Sequence, residues 1–64
     1  MNVPQLIVSL NLTDEQIAVR LVVSAQSVSH WRLGRSIPRA SVRRKLCRMA
    51  GVFPSDVEWK VVAT

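Results

Sequence analysis

A chain of 64 residues, 48% apolar and 20% charged, has the length of one domain and too many apolar side chains to be disordered. No apolar run approaches the roughly 20 residues of a membrane span, and no basic stretch precedes the apolar N-terminal segment as it would in a secretory leader, so a cytoplasmic protein is expected. The net charge of +5 is unevenly placed, with no carboxylate between Gln16 and Ser55 and every cation except Lys60 inside that interval. Such a block either forms a solvated basic surface or meets an anionic partner. The lone Cys47 cannot form an internal disulfide, which suits a reducing compartment, and its apolar neighbours place it at the edge of a core helix.

The first element is a helix over 3–10, where Val3, Leu6, Ile7 and Leu10 follow the i, i+3, i+4, i+7 spacing of one apolar stripe. Pro4 is tolerated in the first turn, which has no use for its missing N–H. Asn11 and Leu12 then lead into the central stretch, Thr13 to Gly34.

That stretch reads as two short helices joined by a tight turn. Thr13 and Gln16 have capping-box spacing, and Ile17, Ala18 and Leu21 share one face behind them. Ser24 offers a second N-cap. Val28 and Trp31 then lie on one side of the following helix, which Gly34 stops as a C′ glycine does. Only Val22 to Ser24 separate the two helices, so they must cross sharply, and Ala18 supplies the small side chain such a crossing needs. Gln26, Ser29, His30 and Arg32 are left on the polar face of the second helix.

The series Thr13, Gln16, Ile17, Ala18, Leu21, Val23, Ser24, Val28, Trp31, Gly34 and Pro38 resembles the helix-turn-helix of the lambdoid phage Cro and repressor family, the xenobiotic-response-element-type regulators. The resemblance covers roughly residues 3 to 52. It implies an all-α, lambda-repressor-like fold of four or five short helices that binds double-stranded DNA in a bacterial cell, with a phage origin in keeping. In such motifs the second helix enters the major groove. The resemblance puts Ala25, Gln26, Ser27, Ser29 and His30 where bases are read. Gln26 stands out because a carboxamide pairs bidentately with adenine, whereas Ala25 offers only a methyl contact. For Ser27, Ser29 and His30 the alternative is a merely exposed polar residue. Backbone contacts are expected from Thr13 and Ser24, at helix starts with free N–H groups, and from Arg32, Arg35, Ser36 and Arg39. Two departures stand out. Val22 occupies a turn position where the family usually has glycine, and a β-branched residue resists positive φ. Asp14 sets a carboxylate beside an expected phosphate.

After the loop Arg35-Ser36-Ile37-Pro38-Arg39, the spacing of Val42, Leu46 and Met49 predicts a helix over 39–50, with Pro38 in its first turn and Gly51 as the stop. Its other face is Arg43, Arg44, Lys45 and Arg48. Like charges at i, i+4 cost only about 0.2–0.5 kcal/mol, too little to demand a ligand, and in the family this helix faces partly away from DNA.

The segment 52–64 supports two readings. Ser55 and Glu58 have capping-box spacing, as for a short fifth helix. The run Val57-Glu58-Trp59-Lys60-Val61 alternates in the manner of a strand, and a lone strand would pair with its copy in a second subunit. A domain this small buries only about 60% of its unfolded surface, so Phe53, Val57, Trp59 and Val61 are expected either at a homodimer interface or as a cap on the monomer core.

No carboxylate pair, Ser/His/Asp set, glycine-rich phosphate loop or ligand cluster is evident. Neither enzymatic activity nor a metal, cofactor or small-molecule ligand is expected. The function read from these residues is a small sequence-specific DNA-binding regulator, a repressor acting as a dimer on a palindromic operator and on its own gene. The alternatives are a protein-interaction module of antitoxin or adaptor type, and a sequence-independent architectural protein.

Overall fold

A computed structural model describes residues 1–62, and these form four α-helices with no β-strand. Helix α1 spans Val3–Ser9, α2 Asp14–Leu21, α3 Ala25–Arg32 and α4 Ala40–Ala50; a single 3₁₀ turn follows at Pro54–Asp56. The fold is all-α, and none of these helices is long and apolar enough to cross a membrane.

Local chemistry sets the helix ends. Asn2 caps α1 by accepting from the Gln5 backbone N–H at 2.9 Å while the Gln5 side chain accepts from Asn2 N at 2.8 Å, a reciprocal box that starts the helix one residue ahead of Pro4. The Thr13–Gln16 box forms on α2 with distances of 3.1 and 2.9 Å. At the end of α3, Arg35 N donates to His30 O and Gly34 N to Trp31 O, and Gly34 adopts φ 76°. This is the paired C-terminal arrangement that only a left-handed residue closes easily. Gly51 ends α4 in the same way, at φ 72°, with Val52 N donating to Cys47 O. Helix α4 begins one residue later than the spacing predicts: Arg39 is its N-cap, and Pro38 lies buried ahead of the helix rather than in its first turn.

The core is one cluster built from the inward faces. Helix α1 contributes Val3, Leu6 and Ile7, α2 contributes Ile17, Ala18 and Leu21, α3 contributes Val28 and Trp31, and α4 contributes Val42, Leu46 and Cys47. Each fully buried Val, Leu or Ile among them is worth about 1.5–3 kcal/mol. Cys47 is inside this cluster rather than at its edge; burial, with the Asp56 carboxylate adding to it, pushes its thiol pKa up. Helix α3 packs on both α1 and α2, and α4 packs on α1, α2 and the 3₁₀ turn. The backbones of α3 and α4 do not pack on each other, and the loop between them spans an open groove.

The C-terminal segment follows neither of its two sequence readings. The box expected from Ser55 and Glu58 is replaced by one turn in which the Asp56 carboxylate accepts from Phe53 N at 3.1 Å. Beyond it the chain runs extended as a strap. Glu58 forms an isolated parallel bridge with Asn2, Glu58 N donates to Met1 O at 2.8 Å, and Val62 N donates to Gly34 O at 3.0 Å. The alternating pattern is resolved within the chain itself. Of the two places expected for Val57, a dimer interface or a cap on the monomer core, it takes the second: it is 6% exposed in the core and presents no surface to a second copy. Trp59 is half-buried against that core, donating from Nε1 to Pro54 O at 3.0 Å, with the Arg43 guanidinium 5.1 Å from its ring centroid. Phe53 and Val61 are exposed. The last two positions of the 52–64 segment lie outside the described residues.

Candidate nucleic-acid interface

Ala18, 5% exposed, lets α2 and α3 cross closely, and the three-residue connection between them closes through Val22 at φ 57°, ψ 50°. This is left-handed backbone, which costs an L-residue with a Cβ roughly 1–2 kcal/mol. Val22 N–H and Val23 N–H both donate to Ala18 O, so the turn keeps the geometry a glycine would adopt and stores strain instead of changing shape.

With Val28 and Trp31 turned inward, helical periodicity puts Gln26, Ser29 and His30 on the outer face of α3. Gln26 is exposed, and Ser29 and His30 are half-buried. Together they present a carboxamide, a hydroxyl and an imidazole, groups that donate and accept in one row. The other two base-reading candidates are placed differently. Ala25 packs against the core cluster. Ser27 belongs to the helix start, where its N–H donates to Ser24 Oγ at 3.1 Å and the two hydroxyls lie 2.9 Å apart.

Comparison with protein families, curated proteins and solved structures finds no match. What the surface does has to be read from its own chemistry.

The expected backbone-contacting residues fall into three groups. Ser24, Ser36 and Arg39 border the groove between α3 and α4, an open space of about 850 Å³. Thr13 and Arg35 are exposed away from its lining. Arg32 is turned inward along the surface: its Nε donates to Asp14 Oδ1 at 2.8 Å and its Nη2 to Leu12 O at 3.0 Å. Arg32 therefore pins the end of α3 to the start of α2, and that contact competes with any phosphate contact. The same pair answers the charge conflict at the first turn of α2, since the Asp14 carboxylate has the Arg32 guanidinium as its counter-charge. Both side chains are about one-third exposed or less, and such a pair is worth at most about 1 kcal/mol. Asp14 and Glu15 both lie in the first turn of α2, but nothing in the spacing of the chain announces the pairing of Asp14 across 18 residues.

Among the described residues no carboxylate lines the groove; its cationic residues are Arg39, Arg43 and Lys45. Sequence reasoning did not find Lys45 and Ser41 there, because periodicity puts them on the outward face of α4 without saying which neighbour that face adjoins. Arg43 is restrained, its Nε donating to Pro38 O at 2.9 Å beside the Trp59 ring. Among the described residues no three His, Cys, Asp or Glu side chains come together as metal ligands would.

Proposed function

We propose that this protein is a small sequence-specific double-stranded DNA-binding regulator of the helix-turn-helix type, a repressor without enzymatic activity. The observation that carries the reading is the outer face of α3. Gln26, Ser29 and His30 stand in one row on a helix whose other face is anchored by Val28 and Trp31, and among the described residues the adjoining groove contains cations and no carboxylate. A helix so mounted fits the major groove of B-DNA, where carboxamide and hydroxyl groups meet base edges. The resemblance of residues 13–38 to the Cro and repressor family supports the same reading, and with it a cytoplasmic setting in a bacterial cell and a phage origin.

Binding as a homodimer to a palindromic operator, including one in the protein's own promoter, completes the proposal. The chain measures 27 × 23 × 21 Å, so two copies side by side fit half-sites about 34 Å, one helical turn, apart. Phe53 and Val61 are the exposed apolar side chains of the expected interface that remain available. The same exposure supports a second reading, in which that surface engages a different protein.

Selection from a randomised duplex pool at near-physiological salt tests the proposal. An enriched motif with two half-sites supports it. Binding without enrichment that collapses as salt rises would leave charge alone as the source of affinity and favour the protein-partner reading.

A further inference from the structure

Helix α4 turns Ser41, Arg44, Lys45 and Arg48 to solvent, yet these are not equivalent. Ser41 and Lys45, at i and i+4 and so stacked on one edge of the helix, line the groove that separates α4 from α3; Arg44 and Arg48 do not. Ser24 and Ser27 form the opposite wall at the start of α3, and Arg39 closes the end nearest the loop. Arg39 and Lys45 are exposed and without an ion pair among the described residues. Arg43 also borders the groove, but its guanidinium is already held by Pro38 O and Trp59.

The geometry points to Ser41 and Lys45 as a second backbone-gripping edge. The sugar–phosphate strand flanking the bases read by α3 lies in the groove, with the Lys45 ammonium and Ser41 hydroxyl on one side and the start of α3 on the other. Charge complementarity selects this occupant: among the described residues the polar part of the lining is cations and hydroxyl donors with no carboxylate to repel a phosphate, beside apolar residues such as Trp31, Ile37 and Val42. The inference rests on the DNA-binding reading proposed above and adds that α4 contributes through one edge only.

The test compares Lys45→Ala with Arg48→Ala, which removes the same charge from outside the groove. Affinity is measured as a function of salt on the selected duplex and on an unrelated one, with Lys45→Arg as the charge-preserving variant. Loss of one phosphate contact lowers the slope of log affinity against log salt by about 0.9. Lys45→Ala is expected to show that decrease on both duplexes with the selected motif unchanged, Lys45→Arg to restore the slope, and Arg48→Ala to leave it as in the parent. Equal changes in Lys45→Ala and Arg48→Ala, or no change in Lys45→Ala, would overturn the inference while leaving sequence-specific binding intact. A parent protein that enriches no motif and binds neither duplex would overturn the DNA-binding reading and this inference together.

Discussion

Helices α3 and α4 both bury an apolar stripe and expose a hydrophilic face, but the two faces are chemically opposite. The face of α3 holds Gln26, Ser29 and His30, and that of α4 holds Arg44, Lys45 and Arg48. Groups that both donate and accept distinguish one base edge from another, whereas cations hold any phosphate equally well. Under the proposed DNA-binding function the contrast divides labour: α3 is suited to choosing a sequence, and α4, through its Lys45 edge, to adding affinity without choosing. On that reading net charge alone is a poor guide to the reading surface, since the helix with more charge would have less to say about sequence.

The most severe way to break the comparison is to remove what both faces stand on. Trp31→Ala on α3 and Leu46→Ala on α4 each empty a buried site and are expected to cost about 3–5 and 2–5 kcal/mol respectively. In a domain this small either loss abolishes the cooperative thermal transition, seen by circular dichroism, and binding goes with it. Next in size is Gln26→Ala, which is expected to leave the thermal midpoint unchanged, because the side chain is exposed, and to cost about 1–3 kcal/mol in discrimination at one base-pair position.

Two smaller changes act on the joint that aims α3. Val22→Gly relieves left-handed backbone at an exposed position while giving the unfolded chain more freedom. The net expectation is a gain of about 1 kcal/mol, read as a midpoint rise of about 4–8 °C. Arg32→Ala removes the tie to Asp14 and Leu12 and is expected to cost about 0.2–1 kcal/mol of stability. It also exposes the Asp14 charge, so its effect on affinity should exceed its effect on the midpoint. Equal effects on the two would show that Arg32 only stabilises the fold.

The parts of the fold legible in the residues are those set within a few positions. The Thr13–Gln16 box, the Ser24 cap, the glycine stops at 34 and 51 and the inward stripes of all four helices depend on neighbours within one or two turns. So does the outward row of Gln26, Ser29 and His30, which follows once Val28 and Trp31 are taken as core. The C-terminal strap was not legible, because its partners are Met1, Asn2 and Gly34, remote in sequence, and the alternation of residues 57–61 is equally consistent with a partner strand in a second chain. Val57 and Trp59 satisfy that pattern within the monomer instead. Arg32 and Lys45 show the same limit within the candidate site. Both are polar residues on exposed faces, and only tertiary packing turns one toward Asp14 and the other toward the groove.

The most direct test of the assignment of base reading to α3 is to carry the Gln26→Ala variant and the parent through the same duplex selection at the same salt and to compare the recovered motifs position by position. Preference is expected to be lost at one position per half-site while the others persist and the salt dependence is unchanged. Identical motifs from the two proteins would remove Gln26 from the reading surface and contradict the division of labour between α3 and α4.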